Sequence, residues 1–135
     1  MPISYYEANK VLDHENGKTA YTMPQVFVGL SSTTPAQGAP VTNVTEPTGG
    51  AYARVATTGA TWNAAAAGST TNAAAVTFPT ATADWAGGSN LTYFVFYDAA
   101  TAGNILGYAA LTTAKNCLNG DTLSFPAGSI TRTLS

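Results

Sequence analysis

The sequence predicts an all-β protein: a jelly-roll-like β-sandwich of about seven to eight short strands with one N-terminal helix. Three observations lead there. Short runs rich in β-branched and aromatic residues recur from residue 25 to the C-terminus, broken by turn residues about every 8–12 positions. One run, LTYFVFYDA at 91–99, is apolar on both faces, as a central strand covered on both sides would be. Helical spacing of apolar residues is confined to the N-terminal segment. A chain of 135 residues fits a single domain, 1–135, with a helical arm at 4–17 and a long polar loop at 31–50.

The helix is carried by SYYEANKVLDHENG, residues 4–17. Ser4 and Glu7 fit a capping box, in which the Ser4 side chain accepts from the Glu7 amide and Glu7 returns the bond. Tyr5, Ala8, Val11 and Leu12 form one apolar stripe, expected to pack on the sandwich or on a neighbouring subunit. Gly17 is a natural stop. The strand runs follow. QVFVGLS (25–31) is β-branched and aromatic. SSTTPAQGAPVTNVTEPTGG (31–50) holds three prolines and is too polar to build a core. AYARVAT (51–57) alternates, and ATWNAA (60–65) surrounds Trp62. AAAAGSTTNAAA (64–75) is rich in Ala, but Gly68 and the Ser/Thr cluster favour a loop with strand ends over a helix. AAAVTFPTAT (73–82) places Val76 and Phe78 two apart. In 91–99, Phe94 and Phe96 fall on one face and Tyr93, Val95 and Tyr97 on the other. DAATAGN (98–104) turns the chain, and ILGYAAL (105–111) returns as the hairpin partner. DTLSF (121–125) and SITRTL (129–134) close the domain.

Charge is the unusual quantity. Asp, Glu, Lys and Arg make up 9% of the residues, against about 25% in ordinary soluble domains. Five of these twelve charged residues lie within the first 18 positions. So few charges suit a chain packed against neighbours in a permanent assembly or an extracellular particle. A hydrophobic content of 45% excludes intrinsic disorder. Lys10, Lys18, Arg54, Lys115 and Arg132 form no run in a chain of net charge −2, so no nucleic-acid partner is expected. No apolar run approaches the roughly 20 residues of a membrane span, and MPISYYEANK lacks a charged-then-apolar leader. The expectation is a protein made in a cytoplasm, with no membrane partner and no secretion. The acceptor patterns NVT (43–45) and NLT (90–92) then carry no weight.

No catalytic constellation emerges. His14 and Cys117 are the sole residues of their types, so neither a zinc site nor an intrachain disulfide is expected. Asp84, Asp98 and Asp121 are the candidates for paired carboxylates or calcium. DAATAG and NGDT are turn signals, however, in which Asp bonds nearby amides, and turn chemistry is the expectation. The glycine pair at 49–50 lacks the helix and lysine of a phosphate loop. No enzyme activity, cofactor or metal is expected.

TEPTGGAYAR, residues 45–54, is the stretch that poses a choice. Pro47 and two glycines turn the chain out of the long loop. Tyr52 and Arg54, two apart, then share one face. Arg54 either clamps a ligand or serves the fold or a subunit interface, and its planar fork on an apolar stem favours the latter. Trp62 and Trp85 are core or interface plugs, with sugar stacking as the alternative. The interface candidates are therefore Tyr5, Val11, Leu12, Tyr52, Arg54, Trp62 and Trp85.

YTMPQVFVGLSSTTP, VTEPTGGAYAR, NAAAVTFPTATADW, YFVFYDAATAGNILGYAAL and GDTLSFPAGSITRTL occur in that order. Over nearly the whole chain this set resembles a family of small tailed-phage virion structural proteins, tail-fibre-like or similar to capsid cement (decoration) proteins. The resemblance implies a β-sandwich that forms a homo-oligomer and carries no catalytic residues. It leads to the expectation of a capsid cement protein on the outside of the phage head, located in the virion after assembly in the host cytoplasm. Its partners would be the major capsid protein and itself, as a homotrimer, with the helix and loop 31–50 reaching across capsid subunits. The alternative is a tail or tail-fibre component with a glycan-binding Trp or Tyr.

Overall fold

The computed structural model describes residues 3–134. Among them one α-helix, α1 (Tyr5–Glu15), precedes eight strands. These are β1 (Phe27–Ser31), β2 (Val55–Ala56), β3 (Ser69–Thr71), β4 (Val76–Thr77), β5 (Leu91–Tyr97), β6 (Ile105–Lys115), β7 (Ser124–Phe125) and β8 (Thr131–Thr133). Every pairing is antiparallel. Four strands form a sheet in the order β2-β1-β5-β6, and the rest form two ribbons, β3-β8 and β4-β7. The pairs β3–β8, β4–β7 and β5–β6 are nested in sequence, so residues 69–133 fold back on themselves around the β5–β6 hairpin. The class is all-β with one N-terminal helix. Opposite the sheet lie ribbons and loop segments rather than a second continuous sheet.

β5 holds the centre because its apolar residues need cover on two sides. Val28 and Leu30 of β1, Phe94 and Phe96 of β5 and Leu106 of β6 are buried in one cluster with Val76, Phe78, Trp85, Phe125 and Ile130. Aromatic edges set its geometry: Phe94 meets Phe125 with ring centroids 4.7 Å apart, and Phe78 meets Phe125 at 5.9 Å. Val95 and Tyr97, on the opposite face of β5, are buried outside that cluster. Cys117 sits in the main cluster, where burial pushes its thiol pKa up and leaves it unreactive.

Several strands are shorter than the sequence suggests. Of AYARVAT only Val55 and Ala56 pair, because Gly49, Gly50 and Ala51 all take positive φ and bring the chain into line late. ATWNAA opens on a 3₁₀ turn, Gly59–Thr61, and then makes a single bridge from Trp62 to Asn72. Within the Ala-rich stretch β3 forms and pairs with β8 in the register Thr70↔Arg132. Asn72, just after it, is fully buried. Its Nδ2 donates to the carbonyls of Ala74, Pro126 and Phe125 at 2.9, 3.0 and 3.4 Å, and its Oδ1 accepts from Ile130 N at 2.9 Å. Surface polarity is met without charge elsewhere, by hydroxyl pairs such as Thr77–Ser124 and Thr80–Thr122.

Loop 31–50 folds back on itself. Ala36 and Thr42 exchange backbone bonds of 2.8 and 3.0 Å, Thr33 Oγ1 donates to Asn43 O, and Thr45 N donates to Ser31 Oγ. Pro35, Val41 and Pro47 are buried, which corrects the view that this segment adds nothing to the core. At the helix, Ser4 Oγ accepts from Glu7 N at 3.1 Å, but the Glu7 carboxylate turns to the Tyr21 hydroxyl, so the capping box is one-sided. Gly17, at φ +72°, stops the helix and donates to His14 O at 3.2 Å. No helical residue is fully buried. Tyr6 packs on the core cluster, and Ser4 N donates to Leu106 O of β6. Of the predicted stripe, Tyr5 and Leu12 are turned away from the sheet, 49% and 54% exposed, while Ala8 and Val11 are half-buried.

Candidate functional site

Glu46, Tyr52 and Arg54 converge on one point at the edge of β1. The positive-φ turn at 49–51 doubles the chain back and brings Glu46 against two residues that follow it. Arg54 Nε and Nη2 donate to Glu46 Oε2 and Oε1 at 2.8 and 2.9 Å, a bidentate pair. Arg54 Nη1 donates to the carbonyls of Ala99 and Ala102, both at 2.8 Å. Its guanidinium lies 3.3 Å from the centre of the Tyr97 ring. The side chain is only 8% exposed, and four of its five N–H groups are bonded within the chain. The arginine thus ties the 45–54 turn to the β5–β6 turn and covers the second face of β5.

Tyr52 links this cluster to the core. Its hydroxyl donates to Glu46 Oε2 at 2.6 Å and accepts from Leu30 N at 3.0 Å, occupying a position on β1 beyond the reach of the two-residue β2. Its ring meets Trp85 edge-on at 5.2 Å. Gly29 is required beneath it, since a Cβ there would stand 2.8 Å from the Tyr97 ring and 2.9 Å from the Tyr52 hydroxyl. Trp85 is itself buried, and its Nε1 donates to Gly50 O at 2.7 Å.

Burial, first, and the Glu46 carboxylate, second, hold the Tyr52 and Tyr97 hydroxyls well above the ordinary tyrosine pKa of about 10. The folded chain keeps these protons when the unfolded chain loses them. Their stabilisation is therefore complete below about pH 10 and falls as pH rises beyond it, by about 1.4 kcal/mol per pH unit for each tyrosine. Urea titrations over the alkaline range should show Tyr52→Phe with a slope flatter by about one such increment; an unchanged slope would show that Tyr52 ionises freely.

A second cluster lies across the molecule. Arg132 of β8 places its guanidinium 4.6 Å from the Phe96 ring centre and 5.6 Å from that of Trp62. Trp62 is half-buried, packs edge-on to Phe96 at 6.1 Å, and donates from Nε1 to Thr57 Oγ1 at 3.0 Å. Beside Arg132 opens a groove of about 270 Å3 between the start of α1, β6 and the β3–β8 ribbon, with Glu7 on its wall.

The remaining polar candidates serve turns. Asp98 Oδ1 and Oδ2 accept from Asn104 N and Nδ2, Asp121 Oδ2 from Leu118 N, and Asp84 Oδ1 from Asn119 N. His14 Nδ1 accepts from Tyr21 N. Among the described residues no three His, Cys, Asp or Glu side chains gather, and no helix is long and apolar enough to cross a membrane.

Of the seven interface candidates, the structure joins Tyr52 and Arg54 in one internal cluster and places Trp85 in the core beside them. Trp62 lies apart, against Phe96. Tyr5 and Leu12 lie on the outer side of α1, two turns apart and open to solvent, while Val11 is half-buried. Sequence reasoning missed Glu46, although it stands in the same quoted stretch, and missed Asn72 and Arg132.

A protein-family model described as "Podophage GP4 fiber I protein gp80" matches residues 2–133. No curated protein matches the chain.

Proposed function

The chain belongs to the podophage GP4 fiber I protein gp80 family and is a structural component of the phage particle, and on that premise we propose that it is a non-enzymatic component of the tail fibre. The observation that carries this is the extent of the match, 132 of 135 residues (133 − 2 + 1). The family's description favours the tail-fibre alternative over the capsid cement role and its docking to the major capsid protein. A binding role also agrees with the chemistry: the Asp side chains are occupied in turns, and Arg54 and Glu46 satisfy each other.

In this role the β body is a rigid spacer, and the outer face of α1 is the attachment surface. Tyr5 and Leu12 present apolar surface that the chain's own sheet leaves open, with Val11 half-buried beside them. A helix of this length is marginal alone in water, so Tyr6 and the Ser4–Leu106 bond hold it while the stripe meets a neighbouring fibre protein or another copy. Self-association as a homotrimer belongs to the same proposal. Fractionation of disrupted particles should carry the protein with the fibre; recovery with the empty head shell would overturn the proposal.

The stripe has its own test. Leu12→Asp should change the free protein's stability by no more than about 0.5 kcal/mol, because the site is exposed. Incorporation into particles should fall sharply. Equal incorporation of the variant would remove the stripe from the attachment surface.

A further inference from the structure

Arg132 contrasts with Arg54. Both guanidinium groups lie against aromatic rings. Arg54 has four hydrogen bonds to the chain. Among the described residues, none accepts a hydrogen bond from Arg132, and the ion pair within the chain is that of Arg54 and Glu46. Arg132 is half-buried and lines a groove through which its nitrogens stay accessible, and burial lowers its pKa. Its planar fork is suited to a carboxylate, which it holds through two parallel bonds.

The groove beside it supplies the rest of a site. Phe96, Leu106, Tyr108 and Leu134 give it an apolar wall, and Glu7 adds a carboxylate. Glu7 is oriented by the Tyr21 hydroxyl on Oε2. Glu7 and Arg132 share the groove yet stand beyond ion-pair distance, so neither takes up the other's hydrogen bonds. A ligand spanning both must present an anion at one end and a hydrogen-bond donor at the other. A bare inorganic anion lacks the donor, and a neutral sugar lacks the anion. At about 270 Å3 the groove is smaller than drug-sized pockets and suits one small ring.

We propose that this groove binds a polyhydroxylated carboxylate, the chemical class of the uronic acids, with Arg132 holding the carboxylate and Glu7 accepting from a hydroxyl. The site is separate from the outer stripe of α1, so its fate does not decide the fibre assignment: particle fractionation can succeed while the groove fails, and the reverse.

Calorimetric titration of the full chain with glucuronate, and with glucose as the uncharged control, tests the proposal. Glucuronate should bind saturably and glucose should not. Arg132→Gln should weaken glucuronate binding about tenfold or more, and Arg132→Lys should restore part of it. Ala65→Trp, which narrows the groove from an exposed position and leaves the guanidinium untouched, should weaken it similarly and decides the matter should the arginine variants fail to fold. A uronate oligomer that binds at least as tightly as the monomer identifies a saccharide-borne acid; binding of the monomer alone identifies a free acid. Absence of saturable glucuronate binding, equal binding of glucose, or full affinity in the Ala65→Trp variant would overturn the proposal.

Discussion

Arg54→Ala should destabilise the protein by about 3 kcal/mol and lower its Tm by roughly 10 °C. The variant strips Glu46 of its bidentate partner, leaves the carbonyls of Ala99 and Ala102 without their donor, and uncovers Tyr97. Breaking a buried pair costs about 3–5 kcal/mol, and loss of the ring contact adds about 0.5–2. Glu46 remains 23% exposed, so water reaches its carboxylate and offsets part of that sum. The companion variant Glu46→Gln should cost less, because the neutral amide still accepts from one arginine nitrogen. A double-mutant cycle should give a coupling of about 2 kcal/mol. Urea unfolding of the four proteins is the measurement; a loss below about 0.5 kcal/mol for Arg54→Ala, the range of ordinary surface changes, would show that the cluster is not a tie between the two turns.

Asn72→Ala should cost at least as much, about 3–4 kcal/mol. The buried amide donates to three carbonyls and accepts from one backbone N–H, and through them joins the end of β3 to the β7–β8 connection. Alanine leaves Ile130 N buried without a partner, takes one donor from the carbonyls of Phe125 and Pro126, and adds a small cavity. Each orphaned group costs about 1–3 kcal/mol, reduced where the backbone relaxes. Asn72→Asp is the sharper probe. An ionised carboxylate only accepts, so it repels the three carbonyls that Nδ2 now serves, and protonation restores one donor. That variant should gain stability, relative to the parent, as pH falls through the carboxylate range. Equal stability of Asn72→Ala and the parent, or a pH-independent deficit in Asn72→Asp, would show that the hydrogen bonds are dispensable.

How legible these features were in the sequence depends on the distance over which each is decided. β5 was readable because apolar residues on both faces dictate a central position, and β1 because its run is β-branched and aromatic. The Ser4 cap and the Gly17 stop were readable because both act within one helical turn. The α1 stripe was visible but its direction was not: an amphipathic pattern marks a face without saying whether sheet or partner covers it. Tyr6, off the stripe, proved to be the packing residue. β6 runs on to Lys115 through polar residues where apolar alternation has stopped, and β3 is three residues hidden among alanines. The Arg54–Glu46 pair, eight positions apart in the chain, is set by the turn between them. The three positive-φ residues at 49–51 turn Glu46 back onto Arg54, and TEPTGGAYAR holds the acid, the turn and the base in one line. Asn72 and Arg132 gave no local signal, since their roles arise from the β3–β8 pairing of residues about 60 positions apart.

The low charge of the chain has a structural counterpart. Hydroxyl pairs across β4 and β7 and the self-bonded loop 31–50 satisfy surface polarity without ions. Such a surface has little electrostatic resistance to close packing against a neighbour. The proposed attachment through the exposed Tyr5 and Leu12 of α1 would give that packing a defined place.

The assignment to the fibre is tested most directly by cryo-electron microscopy of intact particles beside particles lacking this chain. The account predicts that the density lost on deletion lies in the tail fibre, and that the eight-strand body fits it with the outer side of α1 against a neighbouring subunit. Density lost from the surface of the head shell, with the fibres unchanged, would contradict it.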